Sequence, residues 1–233
     1  MHISELSVKK QWGTVFGDTN DPGNAIFRKL QKDWSSIEID YDNLNILNTQ
    51  SLPKWAQEEA SSVLRWGESE LEKNIFKRGD YKEMCELLVK YLGGTVKNFK
   101  FRLPGADSNA RWMSKVIYCL KLALLADQYI LEPEVRSKIL ECATFQSIVY
   151  CKYWFLCPMA VKAPLLDLEY YSLLLKWRKI SPLQAFNLTK QVRNHLWYLT
   201  PELVVLSLFD PLVLAEVVLS FNKCSFSFQL SIK

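Results

Sequence analysis

Histidine is nearly absent from this chain of 233 residues, which contains only two. The sequence also has no GxSxG, HExxH, phosphate-loop or dinucleotide-binding pattern, so it does not indicate the enzyme classes that depend on them. His195 follows a helical run, and we interpret it as a helix-end residue close to the C-terminal dipole of that helix. No catalytic residue, metal ligand or cofactor-binding residue is therefore predicted.

Paired cysteine motifs are also lacking, although the chain has six cysteines. Cys142, Cys151 and Cys157 do not have the C-x-x-C spacing of a structural zinc site. The cysteines lie mostly within apolar helical runs, where a free thiol behaves as a small buried hydrophobic group. We expect buried thiols in a reducing, intracellular compartment and no disulfide framework.

Uninterrupted hydrophobic runs of membrane-spanning length are absent. The segment 203–221 is interrupted by Asp210, Pro211 and Glu216, and the segment 139–161 carries charged residues and a proline. An aspartate at the centre of a span costs about 2.5–3.5 kcal/mol. We therefore predict two short buried helices in the first segment, a core helix in the second, and no membrane partner.

Strand patterns are scarce, and most of the chain shows apolar residues at helical spacing. Proline after a capping or acidic residue marks helix starts, as at Ser181-Pro182 and Glu132-Pro133. The sequence predicts an all-α fold, a compact array of about ten helices with a short C-terminal strand at 226–232. The expected helices are 2–12, 23–37, 53–77, 80–92, 108–130, 133–157, 164–180, 182–198, 201–209 and 211–221.

The net charge of +4 is too small to indicate a nucleic-acid-binding protein by itself, but the positive charge is locally concentrated. From Lys90 to Lys121 there are seven basic residues and one acid, Asp107. Between Glu169 and Glu202 there are five basic residues and no acid. Such segments are typical either of solvated helix faces or of surfaces that contact nucleic-acid phosphates.

The stretch "RLPGADSNARWMSKVIYCLKLALL" at 102–125 combines a basic start with a strongly apolar helix. Asp107 or Ser108 is expected to cap this helix, whose apolar residues belong in the core. Arg111 and Lys115 lie one turn apart on one face. They form either a solvated stripe or part of a binding surface.

Four stretches of the sequence resemble the C-terminal half of a family of transposon-derived invertebrate proteins, which is itself similar to hAT-type transposases. They are "HISEL" at 2–6, "VFGDTNDPGNAIFRKLQKDW" at 15–34, "PGADSNARWMSKVIYCLKL" at 104–122 and "HLWYLTPELVVLSLFD" at 195–210. The resemblance covers residues 2–210. It implies that "ARW" at 110–112 matches the Arg-Trp element of the helical domain inserted into an RNase H-like core.

Enzymes of the RNase H type need clustered carboxylates that hold two metal ions. By the resemblance, two of these carboxylates would precede His2 and a third would lie well downstream of Phe209. We find none of them in this chain, and no acid follows Glu216. The resemblance therefore implies a catalytically incomplete fragment that is not an enzyme and is nuclear.

The resemblance also implies a division of the chain into a remnant of the RNase H-like core edge (1–22), a helical insertion-type domain (23–221) and a tail (222–233). Duplex DNA, self-association or the missing transposase core are the expected partners, and no small molecule is indicated. A domain cut from a larger fold should leave Ile3, Leu6 and Trp12 exposed. The candidate DNA contacts are Lys97, Lys100, Arg102, Arg111, Lys115, Lys176, Arg178, Lys179 and Arg193.

Two alternatives remain. A helical protein-interaction module without a nucleic-acid role would use surface aromatic residues as anchors. The aromatic candidates are Trp55, Trp66, Tyr170, Tyr171 and Trp177. A metal-dependent nuclease would use Asp167 or Glu169, although these two lie two residues apart on a helix and do not face each other.

Overall fold

The computed structural model describes residues 3–17, 25–105, 111–156 and 163–196, and these residues are helical with no strand, as the sequence predicts. The α-helices are α1 (Ile3–Phe16), α2 (Ala25–Asp33), α3 (Lys54–Lys73), α4 (Gly79–Tyr91), α5 (Arg111–Leu124), α6 (Pro133–Phe145), α7 (Cys151–Leu156), α8 (Ala163–Trp177) and α9 (Pro182–His195). A π-helical segment, Gln146–Tyr150, joins α6 to α7, and short 3₁₀ turns lie at Trp34–Ser36 and Thr49–Ser51. The helices predicted at 201–209 and 211–221 and the strand at 226–232 lie outside the described residues.

Proline marks the helix starts as predicted at two places. Pro182 follows Ser181 at the start of α9, and Pro133 follows Glu132 at the start of α6. At these positions the missing N–H of proline removes no helical hydrogen bond. In α3, by contrast, Pro53 is the residue before the first helical position.

Several helices end earlier than predicted. Helix α3 stops at Lys73 because Asn74 adopts a left-handed conformation (φ 50°), and its N–H donates to Glu70 O. Helix α5 ends at Leu124 and is followed by a turn. In that turn the Gln128 amide donates to the Asp40 carbonyl at 2.8 Å. Sequence periodicity continues through both sites, so only these contacts locate the helix ends.

The chain divides into two compact units. The large unit is Val8–Lys152, and the small unit joins Met1–Ser7 to Tyr153–Lys233. The predicted division at 22 and 222 rests on the family resemblance and stays a prediction. The compact units show which residues pack together, and they do not show from which ancestral domain a segment derives.

The large unit has its core where α4 packs against α3 and α5, and α5 packs against α6. Leu88, Leu120 and Ile139 are among its fully buried side chains. A Cβ atom at Gly67 of α3 would lie 2.7 Å from Val89 Cγ2 of α4. Glycine at this position therefore permits the close approach of the two helices.

The expected exposure of the first helix is wrong at Trp12, which is only 2% exposed. Its ring stacks on Phe16, with centroids 4.2 Å apart, and lies 4.8 Å from the ring of Phe27. Leu6 is half-buried. The side chain of Ile3 lies outside the description. The hypothesis of a domain cut from a larger fold predicted an exposed first helix, so the burial of Trp12 weakens that hypothesis.

In the small unit, α8 packs against α9 across a short turn at 178–181. Leu174 and Trp177 of α8 and Leu188 and Val192 of α9 are buried. The Ile180 N–H donates to Trp177 O at 2.9 Å and tightens the turn. The two helices therefore pack through apolar side chains, and α8 is buried along most of its length.

In the described parts of the chain, none of the helices combines the length and the apolar composition needed to cross a lipid bilayer.

Candidate nucleic-acid interface

The predicted DNA contacts fall into two groups that belong to different units. Lys97, Lys100, Arg102 and Lys115 belong to the large unit, in what we call the basic segment (residues 97–121). The other four belong to the small unit, in what we call the basic helix pair (α8, α9 and the turn between them). They are Lys176, Arg178, Lys179 and Arg193. Arg111 lies at the first position of α5, and its side chain lies outside the description.

Arg102 of the basic segment is bound within the large unit. Its Nη1 donates to Gly79 O at 2.8 Å, and its Nη2 lies 3.5 Å from Glu86 Oε2. A guanidinium that holds a carbonyl and a carboxylate has fewer donors left for a phosphate. Arg102 therefore fastens the segment 99–105 to α4 and is a poor candidate for a DNA contact.

Lys121 ends the basic segment inside the core, with a residue exposure of only 1%. Its Nζ lies 2.7 Å from Glu83 Oε1 and donates to Arg102 O at 2.7 Å. The same ammonium lies 5.4 Å from the centroid of the Trp34 ring. Burial lowers the pKa of Lys121, and the neighbouring Glu83 carboxylate opposes this effect. Lys121 is thus a structural cation.

The remaining lysines of the basic segment differ from one another. Lys100 is exposed, and its Nζ lies 3.9 Å from the centroid of the Tyr41 ring, within the range of a cation–π interaction. Lys115 is half-buried on α5. Lys97 is exposed but lines a cavity that also contains carboxylates. Of these three lysines, only Lys97 and Lys100 are exposed.

The cavity beside Lys97 has a volume of about 650 Å³ and lies between α3, α4 and the segment 95–97. Three carboxylates line it, those of Glu68, Glu72 and Glu86. The lysines Lys82 and Lys97 also line it, so the carboxylates outnumber the cations and the lining does not favour a phosphate. The sequence did not indicate this cavity, because its lining comes from two helices and a loop.

The basic helix pair places its cations differently. Lys176 lies in the last turn of α8, Arg178 and Lys179 in the turn that follows, and Arg193 in the last turn of α9. All four are exposed, and none forms an ion pair with another described residue. Cations at helix C-termini also interact favourably with the helix dipole. The side chains nevertheless remain available to a polyanion.

One face of α9 continues this surface. Leu183, Phe186, Lys190 and Arg193 are separated by three, four and three residues, the spacing of one helical face, and all four are exposed. Lys190 was noted in the acid-free segment but was not among the predicted contacts. The exposure of Leu183 and Phe186 could not be read from the sequence, which does not show which apolar side of a helix is covered.

His195 occupies the last turn of α9, and its Nδ1 lies 2.8 Å from Gln191 O. The interpretation of His195 as a helix-end residue is confirmed.

The four described cysteines, Cys85, Cys119, Cys142 and Cys151, are free and buried, as predicted. Burial raises the pKa of the Cys85 thiol to about 12, and burial likewise raises the pKa of Cys119 and Cys151. A thiol with a raised pKa forms little of the reactive thiolate. Among the described residues there is also no group of three or more histidine, cysteine or acidic side chains that could hold a metal ion. Asp167 and Glu169 are half-buried on α8.

The aromatic residues considered as protein-binding anchors are mostly in the core. Tyr170, Tyr171 and Trp177 are buried, which contradicts their proposed role as surface anchors. Trp55 and Trp66 are half-buried on α3. The packing of α8 against α9 accounts for Trp177, because a large aromatic ring fills much of a small helical core.

The sequence matches no protein-family model, and neither a curated protein nor a solved structure matches the chain. The transposase resemblance carried by the four stretches therefore stays a prediction.

Proposed function

We propose that this chain is a helical nucleic-acid-binding module that contacts DNA phosphates through the basic helix pair. The observation that carries the proposal is the set of exposed cations on α8, α9 and their turn, in a segment without an acid from 170 to 201. Neutralising phosphates with lysine and arginine releases counterions and supplies most of non-specific DNA affinity. The basic segment of the large unit has no equivalent role in this proposal.

We further propose that the module derives from the helical insertion domain of a transposase, is catalytically incomplete, and acts in the nucleus. The four matching stretches support this origin, and the burial of Trp12 counts against a bare surface at the first helix. In the same proposal, 201–209 and 211–221 are two further helices that bring the array to about ten. The Thr200-Pro201 pair, a typical helix start, supports the first of these two helices.

The test is a fluorescence-anisotropy titration of a short labelled DNA duplex at several salt concentrations. We expect measurable affinity at low salt, with the logarithm of the binding constant falling by about 0.9 per phosphate contact for each tenfold increase in salt. The triple variant Lys176→Gln, Arg178→Gln, Lys179→Gln should bind more weakly and with a shallower salt dependence.

The variant removes three exposed cations that have no ion-pair partner among the described residues, so its circular dichroism should match that of the wild type. If the wild type does not bind at low salt, or if the variant binds with the same affinity and salt slope, the basic helix pair is not a DNA interface.

Self-association is the second role expected for a transposase-derived fragment. The exposed side chains of Leu175, Leu183 and Phe186 favour it, because exposed apolar groups can pack against a second copy. Sedimentation velocity over a range of concentrations tests it. A concentration-independent monomer would exclude this role.

A further inference from the structure

The face of α9 carries an exposed aromatic ring beside cations. Phe186 is 59% exposed and Leu183 is 63% exposed, in the first turns of the helix. Lys190 follows Phe186 by four residues, about 6 Å along the helix axis, and Arg193 follows three residues later. A single exposed apolar side chain is ordinary. A phenylalanine in line with two cations, in a sequence segment without acids, has the composition of a nucleic-acid contact.

The opposite face of α9 is already covered. Ala185, Leu188 and Val192 are buried and hold the helix on the small unit. The orientation of α9 is therefore fixed by its own core, and Phe186 cannot be buried by rotation of the helix.

We propose that the basic helix pair binds nucleic acid with unpaired bases, and that Phe186 is the platform on which one base stacks. The inference rests on the proposed function, since the same cations would hold the phosphates. Surfaces for single strands combine a cationic track along the backbone with aromatic rings that cover the faces of bases. Lys190 and Arg193 would continue the track from Phe186 along α9.

Duplex DNA fits this face less well. The bases of a duplex stack on one another and offer only their edges in the grooves, so an exposed ring has no free base face to cover. An unpaired base exposes its whole face and removes apolar area of Phe186 from water.

An anionic membrane is the other polyanion that attracts a basic, partly apolar helix. A helix that lies in the membrane interface inserts one apolar face along its length. In α9 the long apolar face is buried in the protein, and only the first turns carry exposed apolar groups. Along α9 the exposed apolar residues come first and the cations follow. This order suits a single nucleic-acid strand, in which bases and phosphates lie side by side, better than a membrane surface.

The experiment compares three labelled probes of equal length by anisotropy at one salt concentration. They are single-stranded oligothymidine, an abasic strand with the same number of phosphates, and a duplex. We expect the wild type to bind oligothymidine more tightly than the abasic strand by roughly 5- to 150-fold, the range for stacking of one base on an aromatic ring. Oligothymidine should also bind more tightly than the duplex.

The substitution Phe186→Ala should remove the preference for oligothymidine over the abasic strand and leave abasic binding unchanged. Phe186→Trp should retain the preference, because the larger ring also stacks. Leu183→Ala is the matched control, as it shortens an exposed apolar side chain of the same face without removing a ring. It should leave the preference intact.

Equal binding of oligothymidine and the abasic strand by the wild type would overturn the stacking role while leaving phosphate binding in place. Tighter binding of the duplex would overturn it in the same way. If no nucleic acid binds, both proposals fail. Cosedimentation with phosphatidylserine-containing vesicles would then assign the surface to a membrane.

Discussion

Between Lys90 and Lys121 the large unit carries seven basic residues, and between Lys176 and Arg193 the small unit carries five. In the large unit two of these cations bind acids of α4, since Lys121 pairs with Glu83 and Arg102 with Glu86. In the small unit the five cations face outwards, and none pairs with a described acid.

The difference teaches that a run of basic residues does not by itself define a binding surface. Glu83 and Glu86 precede the basic segment in the sequence, yet the packing of α4 against α5 brings them to it. The basic helix pair has two described acids of its own, Asp167 and Glu169 of α8, but neither forms an ion pair with its described cations. The availability of a cation therefore depends on which acids the fold places beside it.

The largest effect is expected from Lys121→Met, which would test whether the large unit uses its cations for stability. The substitution leaves Glu83 without its cation and Arg102 O without a donor. Removing one partner of a buried ion pair costs about 3 kcal/mol of unfolding free energy. Urea denaturation would measure the loss.

The double variant Lys121→Met, Glu83→Gln should recover much of that loss, because no unpaired carboxylate remains. Lys138→Met is the matched control, since it breaks an exposed ion pair with Glu134 on one turn of α6 and should change stability little. Equal losses in Lys121→Met and Lys138→Met would contradict the structural role of Lys121.

The comparison of the two basic regions is sharpened by a second triple variant, Lys97→Gln, Lys100→Gln, Lys115→Gln. It removes the same charge as the triple variant of the basic helix pair. We expect the helix-pair variant to lose about tenfold or more in DNA affinity at low salt, and the large-unit variant to lose much less. Anisotropy measures both. Equal losses would mean that only net charge matters and that neither region is a specific interface.

A smaller effect concerns the core of the large unit, where Cys85 donates to Gly67 O at 3.4 Å. Burial raises its pKa from 9.0 to about 12. Between these values the folded state keeps the proton and the unfolded chain loses it, so the free energy of unfolding falls as pH rises. At pH 10 the loss due to Cys85 is about 1.4 kcal/mol.

Urea denaturation of the wild type and of Cys85→Ala from neutral pH to pH 10 would test this. The variant should lose less stability over that range than the wild type. Parallel pH profiles would show that the thiol of Cys85 does not contribute.

The smallest effect is expected at Lys100, whose ammonium lies 3.9 Å from the ring centroid of Tyr41. Lys100→Met should lower the free energy of unfolding by about 0.5–1 kcal/mol, the value of an exposed cation–π contact. Lys97→Met removes a lysine of the same segment that makes no such contact in the described residues, and it should be nearly neutral. A larger loss of unfolding free energy for Lys97→Met than for Lys100→Met would contradict a stabilising contact between Lys100 and Tyr41.

The sequence predicted the helical class and several helix starts correctly. Proline after serine or an acid marks a start whatever the surroundings, because its missing N–H and fixed φ act locally. The end of α3 was missed by four residues, since the left-handed turn at Asn74 interrupts a pattern that continues in the sequence. The burial of Trp12 was also missed, because its ring contacts Phe27, fifteen positions further along the chain.

For the candidate site, the sequence by itself determined the acid-free segment and its cations, because the order of charged residues along the chain does not depend on the fold. It also determined that the four described cysteines are core thiols, since they lie in apolar helical runs. Only the tertiary structure decided that Arg102 and Lys121 are bound to α4, and that Phe186 is exposed beside Lys190. The physical reason is that charge pairing and burial are set by contacts between helices, and a sequence pattern identifies the faces of a helix without identifying what covers them.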